Sequence, residues 1–203
     1  MIVVTTRNIT NIFKLASPQE IRDGIVWYAE AQKQAKQVAL DLDMPLHIVV
    51  GVIAALSPNN KWERNISNAH DLIKGFINGE PMESIKVSTY HAMKSKAWDI
   101  LIDNGTNEDI VIKLNGQKII AFYRCIMGEN TCCVDGHARN IYYGERVGLT
   151  NDKTNIGKKE YKTISEAYTR AAKALSKKHG RTYHAYEVQA ITWVTWRRIH
   201  GIK

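Results

Sequence analysis

The 203-residue chain is poor in the features on which several protein classes are built. It has only three cysteines, Cys125, Cys132 and Cys133, two of them adjacent, so neither a disulfide framework nor a Cys-x-x-Cys metal or iron–sulfur site can be assembled. They read as small buried hydrophobes in a reducing compartment. The few prolines and glycines form no linker, repeat or low-complexity tract, which excludes collagen-like and disordered chains. No run approaches the roughly 18 to 20 apolar residues of a membrane span, and the opening MIVVTTRN lacks the basic stretch and apolar core of a secretory signal. The expectation is a cytoplasmic protein with no membrane partner. The histidines form no H-x-x-x-H or H-x-H pair with carboxylates, the H-x-E…C-x-x-C pattern of zinc deaminases is missing, and no glycine-rich phosphate loop occurs. Neither a metal nor a cofactor is expected.

What is present is a core-forming composition, 44% hydrophobic and 24% charged, with a net charge of +8. Residues 1–150 carry 16 Lys and Arg against 16 Asp and Glu, and residues 151–203 carry 12 against 4, so the whole excess lies in the last quarter. Such a block is the electrostatic footprint of a polyanion partner, most simply nucleic acid, although a solvated basic face has the same composition.

The apolar spacing is helical almost throughout. Ser17-Pro18-Gln19-Glu20 is a capping box with proline at the first helical position, and Ile21, Ile25, Tyr28, Ala31, Ala35, Val38 and Leu42 follow in steps of three or four. Residues 46–56 are apolar nearly all round, which suits a helix at the centre of the core. Further helices are expected at about 62–78, 91–104, 107–113, 117–127 and 136–147, then from a second capping box at Thr163–Glu166 to about Lys178, and over 183–199. Trp193 and Trp196 read as core. Strand-like stretches are confined to residues 1–6 and Cys132–Val134, and residues 151–162 read as a loop.

Four short segments stand in an ordered series: Leu56-Ser57-Pro58-Asn59, then Tyr90 with Lys94 to Ala97, then Leu114-Asn115-Gly116 with Lys118, then Val134-Asp135-Gly136-His137. Over residues 45–148 this series resembles the helix-hairpin-helix DNA glycosylase superfamily of endonuclease III and the adenine glycosylase, without its iron–sulfur cluster. There an L-S-x-Q turn, an aromatic-x-x-K-A helix start, an L-P-G-x-G-x-K hairpin and an apolar-D segment follow one another at similar spacing. The resemblance implies an all-α, two-lobed glycosylase-like fold, with residues 44–135 as the hairpin lobe and residues 1–43 plus 136–203 as the second. It implies a monomer bound to double-stranded DNA, nucleoid-associated or working inside a phage-infected cell.

The implied chemistry is cleavage of a base's N-glycosidic bond. Oxocarbenium-like charge builds on the sugar, and a fixed carboxylate stabilises it and orients the attacking nucleophile. Asp135 is the candidate, and it is equally placed to be a plain helix N-cap. Asn115, Gly116 and Gln117 would offer backbone N–H groups to a phosphate. The hairpin departs from the family's two-glycine pattern, and two registers are open. If Gly116 is the second glycine, Lys118 falls at the lysine of the bifunctional enzymes and would act as Schiff-base nucleophile for AP-lyase cleavage; if Gly116 is the first, Lys118 replaces the second glycine and Ile120 takes the lysine position. Asn59, with Asn60 beside it, would fill the space of an extruded base, Trp62, Tyr90 and His91 would line a base pocket, and His137 and Arg139 would contact DNA. Two alternatives stay open: a base-modifying transferase on the same scaffold, of the phage thymine-hypermodification type, and a non-catalytic DNA-binding module.

Overall fold

The computed structural model describes residues 5–149, 151–152 and 155–202. Among these the fold is all-α, with ten helices, one 3₁₀ turn at Met82–Ser84 and no strand. The helices are α1 (Arg7–Lys14), α2 (Pro18–Asp41), α3 (Leu46–Leu56), α4 (Trp62–Ile77), α5 (His91–Asp103), α6 (Asn107–Leu114), α7 (Gln117–Ile126), α8 (Gly136–Tyr143), α9 (Lys158–His179) and α10 (Ala185–Ile199). They group into two compact units, residues 1–29 with 128–203 and residues 30–127, where the sequence reading divided the chain at 43/44 and 135/136. The break at Pro45 looks like a boundary in the sequence, whereas the chain passes from one unit to the other inside the unbroken α2.

The unit of residues 30–127 is built around α3. Every residue from Ile48 to Leu56 is buried, as expected of a helix apolar on all sides, and α4, α5, α6 and α7 pack about it. Gly51 makes that enclosure possible: a Cβ there would lie 2.9 Å from the Ile110 side chain and 3.3 Å from Ile100.

In the other unit, Ile9 and Phe13 of α1 join Ile141, Ile164, Tyr168, Val188, Ile191 and Trp196 in one apolar core. The expected capping box at α2 is present, with Ser17 N donating to Glu20 Oε2 (2.7 Å) and Glu20 N to Ser17 Oγ (3.2 Å). The same carboxylate accepts from Arg198 Nε of α10 at 2.7 Å. Trp196 is core, but Trp193 is only half-buried, so the reading of both tryptophans as core is corrected for Trp193.

Other sequence expectations need correction. The Thr163–Glu166 box is not a helix start, because α9 begins at Lys158; Thr163 lies inside it and turns its Oγ1 back to Lys159 O at 3.0 Å. Residues 158–162 are thus helix and not loop. Their Tyr161 explains why: its hydroxyl donates to Cys132 O (3.0 Å) and accepts from Val134 N (3.1 Å), fixing the helix start. That hydroxyl thereby serves one carbonyl and one N–H of the buried segment Cys132–Val134, which forms no strand. The other strand expectation, residues 1–6, falls largely on residues 1–4, outside the described residues. The helix expected over 136–147 stops at Tyr143, where Gly144 takes φ 69°. Helix α1 has only eight residues, too few for its Ile9/Phe13 spacing to register as a pattern.

Candidate active site

The hairpin forms as a helix, a two-residue turn and a helix. Helix α6 ends at the buried Leu114, Asn115 takes the left-handed conformation (φ 43°, ψ 41°), Gly116 is extended, and α7 starts at Gln117. The turn thus places its left-handed residue at Asn115, a type that tolerates it, while the extended Gly116 sits in a tight spot, where a Cβ would meet the Ile119 side chain at 3.3 Å. Asn115 and Lys118 are exposed, and Gly116 and Gln117 half-buried. Lys118 is therefore at the second position of α7, without the burial that turns a lysine into a nucleophile. Two half-buried lysines flank the turn: Lys113 of α6, paired with Asp103 at 2.6 Å, and Lys96 of α5, whose ammonium donates to Leu114 O, the last carbonyl before the turn. Burial holds the Lys96 amine below the ordinary lysine value.

In the same unit the segment after α3 is tied down by asparagines. Asn65 Nδ2 donates to Ile53 O (2.9 Å), Asn60 Nδ2 to Leu56 O and to Asn68 Oδ1 (both 3.3 Å), and Ser88 N to Asn68 Oδ1 (2.8 Å). Thr89 Oγ1 completes the brace by donating to Pro58 O at 2.6 Å. Above it Asn59 stands exposed in a left-handed conformation, φ 55°. Asn60, in contrast, is part of the brace. Tyr90 is 60% exposed at the N-cap of α5, His91 beside it is exposed, and Trp62 donates to Gln34 Oε1 (3.1 Å) and meets Phe122 edge-on, so these three line no closed cavity within the unit.

Asp135, His137 and Arg139 lie in the other unit, at the start of α8. Asp135 is the N-cap, its Oδ1 accepting from Ala138 N at 2.7 Å. The residue is half-buried, and Oδ2 makes no hydrogen bond or ion pair among the described residues. Its carboxylate is near enough to the fully buried Tyr168 to disfavour the phenolate, although burial is the main reason that phenol is raised well above its ordinary value. Tyr168 in turn contacts Thr192 of α10 at 3.4 Å, and His137 meets Trp193 of α10 edge-on. Arg139 is buried and committed within the unit: Nε to Glu160 (3.1 Å), Nη1 to Glu145 (3.1 Å) and the guanidinium over the Tyr143 ring. No group of three or more His, Cys, Asp or Glu residues among those described could hold a metal ion.

A protein-family model matches residues 3–200, nearly the whole chain. The chain belongs to that family, DUF7178. The DUF7178 family is described as one of unknown function, and no curated protein and no solved structure matches the chain.

In this DUF7178 chain the sequence reading gave Lys96 no role and missed the asparagine brace. Lys96 lies two positions after the buried Lys94, inside the Lys94–Ala97 segment of the motif series, and the brace joins residues up to 31 apart.

Proposed function

We propose that the protein is a DNA base N-glycosylase with a two-lobed, helix-hairpin-helix glycosylase-like fold. The observation that carries this reading is the divided Asp135 carboxylate. One oxygen fixes the side chain at the helix start and the other is left for a reacting group. A carboxylate fixed in place stabilises the oxocarbenium-like charge that develops on the sugar and can orient the attacking water.

In the proposed reaction the bond from C1′ to the base nitrogen breaks and its electron pair leaves with the base. Water adds to C1′ and gives up a proton, with Asp135 Oδ2 orienting it and accepting the proton. Within the unit of residues 30–127, Asn115 N–H is spent on Val111 O (3.3 Å), so the N–H groups offered to a phosphate are those of Gly116 and the first turn of α7, and Asn59, presented on its braced turn, is offered to the space of an extruded base. The exposed Lys118 favours the monofunctional form, which ends at an abasic site.

A panel of duplexes carrying uracil, oxidised, alkylated, mismatched and hydroxymethylated bases, scored for abasic sites and for strand breaks, tests this. The expected result is an abasic site in one class of duplex, lost in Asp135→Asn, with no borohydride-trapped adduct on Lys118. No base released from any duplex would overturn it. A second reading, a non-catalytic DNA-binding module, is favoured by one observation: the cap bond to Ala138 accounts for Asp135 without any chemistry.

A further inference from the structure

Among the described cations of the last quarter of the chain, two sets stand apart. Arg198 is bound to Glu20 and to Leu15 O, Arg181 pairs with Glu187 at 3.6 Å and lies over Tyr183, and Arg197 covers Trp193. These hold the fold together. On α9 the picture differs: Lys159, Lys162, Arg170, Lys173 and Lys177 are all exposed, and none makes an ion pair or hydrogen bond through its side chain among the described residues.

At about 100° per residue these five fall within a sector of roughly 80°, and at 1.5 Å per residue the row runs about 27 Å. The buried face of the same helix, Ile164, Ala167, Tyr168, Ala171, Ala172 and Leu175, is on the opposite side. Glu166 is the one acid in the row. The spacings 159/162, 170/173 and 173/177 set like charges side by side, which weakens a helix, and only Lys177, in the last turn, is placed to complement the helix dipole.

We infer that this row on α9 is a contact surface for the phosphate backbone of double-stranded DNA. The occupant follows from what the face offers. Between the cations the exposed residues are Thr169 and Ala174, so there is no aromatic or large aliphatic anchor of the kind that carries a protein interface or enters a lipid surface. Nor is there an aromatic ring on which an unpaired base could stack, as single-strand binders require. What remains is a straight line of positive charge, which fits a regular line of phosphates and reads no sequence. The inference rests on DNA being the partner in the proposed function but not on base excision.

The test is the salt dependence of binding of the full chain to a fluorescent random-sequence duplex. Neutralising three cations in Lys162→Gln/Lys173→Gln/Lys177→Gln should lower the slope of log K against log[salt] by about 2.7, at about 0.9 per lost phosphate contact. Helix content by circular dichroism should be unchanged. If that variant lost helix content, Lys162→Gln/Arg170→Gln should still lower the slope by about 1.8. Arg198→Gln should leave the slope as it is. An unchanged slope in a folded variant would overturn the inference. So would tighter binding to a single strand of equal length, or binding to phosphatidylserine vesicles without binding to the duplex. Duplex binding with the expected slopes but no base released from any substrate would retain this surface and remove the glycosylase reading.

Discussion

Replacing Asp135 in two ways separates its structural role from its proposed chemical one. The side chain caps α8 through a 2.7 Å hydrogen bond from Ala138 N, and asparagine can accept the same bond. Asp135→Asn should therefore change stability by no more than a few tenths of a kcal/mol, whereas Asp135→Ala should lose about 1 kcal/mol. For a chain of this length that is a fall in melting temperature of about 2–4 °C. Catalysis should divide differently. Both variants remove the negative charge and the proton acceptor, so single-turnover base release should fall about 10²–10³-fold in each, with duplex affinity kept. Thermal unfolding and single-turnover release on the same preparations read the two effects. If Asp135→Asn released base at the wild-type rate, or if activity tracked melting temperature across the pair, the residue would be a cap and nothing more.

Two further outcomes concern the scaffold. Glu20 is buried and held below its ordinary carboxyl value of 4.5 chiefly by the hydrogen bond from Arg198, with Ser17 helping and burial opposing. A lowered folded-state value means stability that is full above pH 4.5 and lost as pH falls through the folded value. Because the Arg198 side chain is 53% exposed, screening discounts the pair, and Glu20→Gln should cost about 1–2 kcal/mol at pH 7 and flatten the acid limb of a pH titration of the melting temperature. An acid limb identical to that of wild type would refute the assignment. Gly24→Ala should be worse, since its Cβ would lie 2.6 Å from Ile191 N of α10, where backbone cannot yield as a side chain can. A loss of about 3 kcal/mol is expected in chemical denaturation, and a neutral result would contradict the close packing of α2 on α10.

The parts of the fold that were legible in the sequence are those written locally. The Ser17–Glu20 box, the all-round apolar α3 and the Asn-Gly turn between α6 and α7 each depend on residues within one or two turns of one another. The false box at Thr163 shows the limit of the same rule. Its pattern was correct, but the hydroxyl of Tyr161, bonded to Cys132 and Val134 nearly thirty residues away, carries the helix a further turn toward its start. The candidate site was legible to the extent that its residues are consecutive: Asp135 at a helix start and the hairpin turn. Its supports were not. Lys96 reaches Leu114 across 18 residues, and the brace under Asn59 draws on Asn65, Asn68, Ser88 and Thr89, whose polar side chains carry no period. The charge of the last quarter was visible as a total. Its division into fold-binding arginines and a row on α9 that pairs with none of the described residues depends on which acids lie near, and that is set by tertiary packing.

The central claim is that a base leaves DNA through the action of Asp135, and the most direct measurement assumes no particular substrate. Bulk genomic DNA, including DNA from phage-infected cells, is incubated with wild-type protein and with Asp135→Asn, and the free bases and remaining nucleosides are quantified by mass spectrometry. The account predicts that one free base accumulates with wild type and not with the variant, matched mole for mole by abasic sites. Unchanged nucleosides with no free base, or a nucleoside whose mass changes while its glycosidic bond stays intact, would contradict it.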